Sequence, residues 1–351
     1  MRIPVIITSL ILFLLIASYT ERPSEKDTTV IASGQMPSIT SDKLDNLHLV
    51  WGNGDSILYV SSKNQGESFS KPSLVALLPK LAASSSRGPQ IANTEGGITV
   101  MACNKVGDIF SYVKDASGRW SEGTRVNDVD TTAKEGLTAL SGDGNRLYAV
   151  WLDLRDKHNK IFGSNSADGG KTWSKNIMIY TSPDKTVCEC CKPSVVIKGN
   201  NVYVMFRNWL NGNRDLYLIQ STDGGKTFGH AEKLGEGSWA LNGCPMDGGG
   251  IAVQLDNKIQ TVWRRESKIY LYEPGRPEVE IGEGRGCTLA AINSRTVYAW
   301  TENGQVVCLL PNAGKKIMGK GRYPVIHAVS NNKVICVWEN EKQILAQVVE
   351  L

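Results

Sequence analysis

The most reactive side chains of this chain are the cysteines of two short segments. Cys188, Cys190 and Cys191 lie within VCECCKPS, and Cys244 lies two residues before Met246. Three loop thiols, a fourth thiol and a thioether suit a soft metal, which would be Cu(I) or, less obviously, zinc. The C-x-C-C spacing matches no standard zinc pattern. Disulfides between adjacent loops, or inert buried thiols, explain the same residues, so three interpretations stay open.

Arginines form a second group that could do chemistry. Arg87, Arg285 and Arg322 each stand at the start of a β-rich segment, and Arg207 ends another. A guanidinium group binds a carboxylate bidentately, so several arginines around one point could hold one anionic substrate. These residues are far apart in the sequence. The fold must therefore bring them together.

A repeated turn indicates what that fold is. Ser166–Trp173 and Ser221–Phe228 both read Ser-x-Asp-Gly-Gly-Lys-Thr-aromatic, and Ser62–Phe69 and Asp115–Trp120 are weaker copies. The glycines allow a turn with positive φ, the aspartate accepts hydrogen bonds from its own turn, and the Thr-aromatic pair restarts a strand. A repeated hairpin predicts a repeat architecture.

Two further markers recur with the turn and give the number of units. In each unit a β-rich run forms the predicted second strand. These runs end at Trp51, Cys103, Trp151, Phe206, Trp263, Trp300 and Trp338. Most units open on a proline, which loses no ladder hydrogen bond at a strand start. We therefore predict an all-β chain folded as a β-propeller of four-stranded blades, with seven blades favoured over six. The last unit stops after three strands, so we expect Thr28–Ser33 to complete it and close the ring.

The repeated turns resemble the Asp-boxes of the sialidase superfamily, whose members are β-propellers. The resemblance covers about Met36 to Leu351 and implies a sialidase-like glycoside hydrolase acting on an acidic glycan. It also implies an arginine triad for the sugar carboxylate, a Tyr nucleophile paired with a Glu, and an Asp as acid/base. The family's first arginine motif would stand near Gln35–Ile39, where this chain has no arginine. The chain is therefore predicted to be a divergent member.

In a propeller the inner strands begin on one face, and the loops after the second strands lie on that face too. The side chains expected to converge there are Arg87, Glu135, Lys192, Asp247, Arg285, Arg322, Tyr323, Asp153, Arg155, Arg207, Arg264, Glu302 and Glu339. The resemblance suggests Tyr323 as the nucleophile, Glu302 or Glu339 as its base, and Asp247 or Asp153 as the acid. Arg87, Arg285, Arg322 and Arg207 are the predicted substrate-binding residues.

The N-terminus predicts export. Residues 1–20 carry one early positive charge and an apolar run of about fifteen residues, which is short for a membrane span. A periplasmic or extracellular protein is expected, with membrane attachment only if this segment stays uncleaved. Residues 21–35 then form a linker and the closing strand, and residues 36–351 form one propeller domain. The net charge of +4 is dispersed, which argues against nucleic acid as a partner. We expect a monomer.

Three functions remain open from the sequence. In the first, the protein binds an acidic glycan in the axial pocket, with hydrolysis of that glycan as a further step. The second is a non-catalytic propeller with a copper, zinc or disulfide site in its cysteine-rich loop. The third is a scaffold for protein partners.

Overall fold

The computed structural model describes residues 28–351, so the predicted export signal at residues 1–20 lies outside the described residues. The regular structure of these residues is entirely β, arranged as seven antiparallel sheets of four strands. The predicted all-β class and the seven-blade count are confirmed. Within residues 28–351, no helix has the length and apolar character needed to cross a membrane.

Each blade runs outward from the propeller axis in chain order. Blades 1 and 2 contain β2 (Gln35–Ser41), β3 (Leu47–Asn53), β4 (Ser56–Ser62), β5 (Ser73–Leu77), β6 (Gln90–Thr94), β7 (Gly97–Cys103), β8 (Ile109–Lys114) and β9 (Thr124–Arg125). Blades 3 and 4 contain β10 (Thr138–Asp143), β11 (Arg146–Asp153), β12 (Lys160–Ser166), β13 (Ile177–Tyr180), β14 (Ser194–Lys198), β15 (Asn201–Arg207), β16 (Leu216–Ser221) and β17 (Glu232–Lys233). Blades 5 and 6 contain β18 (Gly250–Val253), β19 (Ile259–Arg265), β20 (Lys268–Tyr272), β21 (Val279–Glu283), β22 (Arg285–Ile292), β23 (Arg295–Glu302), β24 (Gln305–Leu310) and β25 (Gly314–Lys320). Blade 7 contains β26 (Arg322–Ser330), β27 (Lys333–Asn340), β28 (Gln343–Glu350) and, as its outer strand, β1 (Thr29–Ser33).

The two ends of the described chain close the ring. Strand β1 pairs antiparallel with β28, with Thr29 opposite Ala346. The inner strands contact one another in circular order, and β26 of blade 7 packs against β2 of blade 1. The predicted closure by an N-terminal strand is confirmed.

The hydrophobic core lies between blades. The second strand of each blade is buried on both faces because neighbouring blades cover it, which explains its continuous apolar runs. Trp51, Trp151, Trp300 and Trp338, four of the marker residues, are among the largest fully buried side chains. Each aromatic side chain of this size contributes a large apolar area to the seam between two blades.

The Asp-boxes fasten adjacent blades on the face opposite to the start of the inner strands. Asp223 accepts hydrogen bonds from the hydroxyl groups of Ser221 and Thr227, both at 2.6 Å. Gly225, at φ +84°, packs against the ring of Tyr148 in the preceding blade, and its carbonyl accepts the tyrosine hydroxyl at 3.0 Å. Because a Cβ on Gly225 would stand 2.0 Å from that ring, only glycine fits there.

Candidate functional site

The inner strands of all seven blades begin around one cavity on the propeller axis, with a volume of about 260 Å³. We call it the axial cavity, and its lining includes, blade by blade, Met36, Gln90, Leu140, Lys192, Asp247, Cys287 and Tyr323. The structure thus brings together Lys192, Asp247 and Tyr323 from the set that was expected to converge. The apolar members of the lining give this cavity a surface for the carbon skeleton of a ligand.

Lys192 supplies the ammonium group of the axial cavity. Its Nζ donates a hydrogen bond to Gln90 Oε1 at 2.8 Å, which links blade 4 to blade 2 past the intervening blade. Burial lowers the pKa of Lys192 to about 8. No carboxylate within residues 28–351 forms an ion pair with this ammonium group. Lys192 is therefore a cation at the axial cavity without an ion-pair partner, because Asp247, which also lines this cavity, pairs with Arg264 instead.

A second cavity, which we call the rim cleft, adjoins the first between blades 6 and 7 and measures about 560 Å³. Gly286 and Tyr323 line both cavities. Arg285 and Arg322 line the rim cleft, and the Arg322 guanidinium lies 5.3 Å from the centre of the Tyr323 ring. Arg285 is exposed, and within the described residues it has no ion-pair partner. Two predicted substrate-binding arginines and the predicted nucleophile thus share one cleft.

Glu339 is the carboxylate of the rim cleft. It is only 1% exposed, and its Oε1 accepts a hydrogen bond from Arg322 Nη2 at 3.0 Å. Its Oε2 accepts the backbone N–H of Met36 at 3.2 Å. Of the two glutamates considered as a base for Tyr323, Glu339 is the one that lines the same cleft as the tyrosine.

Glu302 and Asp247 have other partners. Glu302 accepts a hydrogen bond from Lys315 Nζ at 2.8 Å and lines a separate cavity of about 410 Å³ between blades 5 and 6. The buried Asp247 accepts the backbone N–H of Gly286 at 2.9 Å, and Arg264 Nη1 lies 3.6 Å from its Oδ2. The structure does not place Tyr323, Asp247 and Glu302 around one cavity, and their catalytic roles stay predictions.

Backbone irregularities aim residues into these cavities. In blades 1, 6 and 7 the inner strand has a β-bulge at its start. The bulges lie at residues 36–37, 286–287 and 323–324. Met36 and Tyr323 adopt φ of +56° and +53°, a region that a side chain with a Cβ occupies at a cost. The prolines that follow Met36 and Tyr323 therefore sit in bulges, where a missing N–H is tolerated.

The other two predicted substrate-binding arginines lie outside both cavities. Arg87 Nε donates to the carbonyl of Glu135 at 2.5 Å, and its Nη2 lies 3.6 Å from the Glu135 carboxylate. Arg207 is 1% exposed, and its guanidinium donates to three backbone carbonyl groups. Neither guanidinium is among the groups that line the axial cavity or the rim cleft.

Asp153, the alternative acid, is a fully buried carboxylate. Arg155 Nε donates to its Oδ1 at 2.9 Å, and Trp151 Nε1 donates to its Oδ2 at 2.8 Å. Burial alone would raise the pKa of Asp153, but the hydrogen bonds from Arg155 and Trp151 outweigh burial and lower that pKa. Such a carboxylate stays ionised at neutral pH, which suits a structural ion pair.

The cysteine-rich loop meets the segment of Cys244 beside the axial cavity. Cys190 and Cys244 form a disulfide, and Cys188 and Cys191 lie next to it as free thiols. The hydrogen bond with Cys191 lowers the pKa of Cys188, whereas burial raises the pKa of Cys191. Met246 is 41% exposed.

Sequence reasoning missed two contributors to the site, Gln90 and Met36. Both stand beside the proline that opens a unit, so the proline marker itself carried the signal for a residue at the axis. Their uncharged side chains gave no chemical reason to single them out.

Comparisons with known proteins support the fold. No protein-family model matches the sequence, and no curated protein matches it either. Among solved structures, a lectin of Burkholderia pseudomallei matches with a TM-score of 0.67 and 10% identity, covering 92% of this chain and 97% of the lectin. An α-L-arabinanase of Penicillium chrysogenum matches with a TM-score of 0.57 and 12% identity over 92% of this chain and 98% of the enzyme. A Hadza microbial sialidase matches with a TM-score of 0.52 and 13% identity over 92% of this chain and 68% of the sialidase.

At these identities the similarity shows the fold alone. The chain is a seven-bladed β-propeller whose architecture is shared with lectins, glycan-cleaving enzymes and sialidases.

Proposed function

We propose that the protein binds an acidic glycan on the face where the inner strands begin, in the axial cavity and the adjoining rim cleft. One observation carries this proposal: Lys192 and Arg285 line the two adjoining cavities and, within residues 28–351, neither is neutralised by a carboxylate. Lys192 is partly buried, and a partly buried cation without a counter-charge is costly unless an anion binds to it.

The shape of the site agrees with a carbohydrate ligand. The rim cleft, at about 560 Å³, is within the usual size range of pockets for small molecules, about 300–1,000 Å³. Arg285 and Arg322 at the cleft and Lys192 at the axis offer positive charge at two places. A sugar acid that lies across Gly286 and Tyr323 could reach both.

Binding fits the geometry better than hydrolysis does. A glycosidase acid must carry a proton to the leaving group. Asp247 instead lies 3.6 Å from Arg264, and Glu302 lies 2.8 Å from Lys315, so both predicted catalytic carboxylates are engaged in ion pairs. Tyr323 beside Arg322 keeps hydrolysis as a second candidate function, because a neutral nucleophile suits an anionic sugar.

A binding assay with matched ligands tests the proposal. Titration calorimetry is carried out with sialyllactose, a glucuronate-containing oligosaccharide and oligogalacturonate, each compared with a neutral oligosaccharide of equal length. At least one acidic ligand is expected to bind, and its neutral counterpart is not. The variant Arg285→Gln is expected to weaken that binding about tenfold. Tenfold is about 1.4 kcal/mol, close to the lower end of the range of about 1.5–3 kcal/mol for hydrogen bonds to charged groups, as suits an exposed arginine. The variant Arg119→Gln, at an exposed Asp115 turn, is the matched control.

Two outcomes would decide against it. No binding of any acidic ligand, or equal binding of the neutral ones, contradicts the anion site.

For hydrolysis, the second candidate function, a fluorogenic sialoside is incubated with the wild-type protein and with Tyr323→Phe. Turnover that the phenylalanine variant abolishes supports hydrolysis, and absence of turnover with intact binding leaves a binding protein.

A further inference from the structure

Four sulfur atoms meet in one place between blades 4 and 5, beside the axial cavity but not among the groups that line it. Cys188 Sγ lies 3.7 Å from Cys190 Sγ and 3.2 Å from Cys191 Sγ, and the last two are 4.0 Å apart. Cys244 joins them through its bond to Cys190. In a tetrahedral site with metal–sulfur bonds of about 2.3 Å, neighbouring sulfurs stand about 3.8 Å apart. Cys188, Cys190 and Cys191 already have nearly that spacing, and Cys244 reaches it only once its bond to Cys190 is reduced.

The surroundings of the cluster favour thiolates. Arg214 Nη1 donates to Cys188 Sγ at 3.1 Å. Hydrogen bonds to sulfur are among the outer-shell interactions that support metal-bound thiolates.

Arg207 supplies a second positive charge. Its guanidinium donates to the carbonyl oxygens of Asp247 at 3.1 Å, Arg214 at 2.7 Å and Arg264 at 2.8 Å. Within residues 28–351 it has no carboxylate partner, although it is 1% exposed. A buried cation needs a compensating anion, and the neighbouring thiol cluster can supply one.

We infer that Cys188, Cys190, Cys191 and Cys244, in the reduced protein, bind one zinc-type divalent ion through four thiolates. Four thiolates and one divalent ion carry a charge of −2. The guanidinium groups of Arg207 and Arg214 offset it, and Arg214 also pairs with the half-exposed Glu189 at 3.4 Å. A monovalent ion such as Cu(I) would leave an excess negative charge in a buried place.

The disulfide is the oxidised form of this site. A dithiol reductant gives two electrons and two protons to the Cys190–Cys244 bond and becomes a disulfide itself, which leaves four thiols in the cluster. The divalent ion then replaces four thiol protons, which pass to solvent. Cys244 is exposed while the other three cysteines are buried, so the ion and the reductant have a route of entry.

Metal titration of the reduced protein tests the inference. Protein reduced with a phosphine under anaerobic conditions is titrated with Zn²⁺ against a chromophoric chelator, and with Co²⁺ to record the spectrum. One ion per chain and the intense sulfur-to-cobalt absorption of a tetrahedral thiolate site are expected. The variants Cys188→Ser and Cys244→Ser should each lower the zinc affinity at least 100-fold.

Two control variants make the result specific. Cys308→Ser changes a buried thiol in the core between blades 6 and 7, and Met246→Ala removes the nearby thioether, so both should retain zinc. A reduced wild-type protein that binds neither zinc nor cobalt would overturn the inference. The inference would also be overturned if Cys188–Cys191 and Cys190–Cys244 formed two disulfides that persisted under conditions that reduce the disulfides of other proteins.

Discussion

The proposed anion site should lose affinity as the pH rises through 8, because Lys192 loses its proton there. Burial lowers the pKa of Lys192 from its ordinary value near 10.5 to about 8 in the unliganded protein. The ammonium form, which attracts an anion, dominates below that pH. The neutral amine dominates above it.

The size of the effect follows from this pKa. Between pH 7 and pH 9 the protonated fraction falls from about nine-tenths to about one-tenth, so the association constant of an acidic sugar should fall about ninefold. The sugar carboxylate and the arginine side chains keep their charges throughout this range. Cys188, whose pKa the hydrogen bond with Cys191 lowers to about 7, lies beside the axial cavity, so variants of Lys192 are needed to assign the change to this lysine.

Calorimetric titrations at pH 7, 8 and 9 with the tightest acidic ligand measure this effect. Lys192→Arg keeps a charge at all three pH values and should bind with a flat profile, while Lys192→Met should be flat and about tenfold weaker at pH 7. Lys198→Met, at the far end of β14, the strand that follows Lys192, should behave as wild type. A wild-type affinity that does not change from pH 7 to pH 9, or a Lys192→Arg variant that keeps the decrease, would refute the reasoning.

Three further predictions concern the frame that holds the site, and denaturant unfolding measures each of them. Gly225→Ala should destabilise the protein by about 1–3 kcal/mol more than Gly224→Ala. Both positions have positive φ, but only a Cβ at residue 225 would clash with the buried Tyr148 ring. Equal losses of stability would contradict the packing of the Asp-box turn against that ring. Arg155→Met should lower stability by about 3–5 kcal/mol at pH 7, because it strands the buried Asp153 carboxylate. That deficit should shrink as the pH falls below about 4, since the lowered pKa of Asp153 stabilises the wild type only while this carboxylate is ionised; a deficit independent of pH would contradict the ion pair. Ile31→Asp should lower the free energy of unfolding by about 2 kcal/mol, because Ile31 packs against the core, whereas Val30→Asp at the exposed neighbouring position should be tolerated. Equal effects of the two substitutions would contradict closure by the N-terminal strand.

The fold could be predicted from the sequence because its signals are local. Asp223 with its turn glycines, and Trp151 at the end of a β-rich run, each mark one place in a blade, and their repetition gives the blade count. Closure by Thr29–Ser33 followed from a missing fourth strand in the last unit. All of these depend on short-range geometry that a few residues determine.

The site could be predicted only in part. Charge and position at a strand start placed Lys192 and Asp247 at the axis. The direction of a side chain depends on partners from other blades, and the sequence does not show these. Arg87 illustrates this, because Glu135 from the next blade holds it outside the cavities. The same limit applies to Arg207, whose partners are backbone carbonyl groups, and backbone has no sequence signature.

A crystal structure of the protein with its tightest acidic sugar would test the central claim most directly. We predict that the sugar carboxylate lies within hydrogen-bonding distance of Lys192 Nζ or of the Arg285 guanidinium, with the ring against Tyr323. A sugar bound on the outer strands of the blades, with both of these cations uncontacted, would contradict the account.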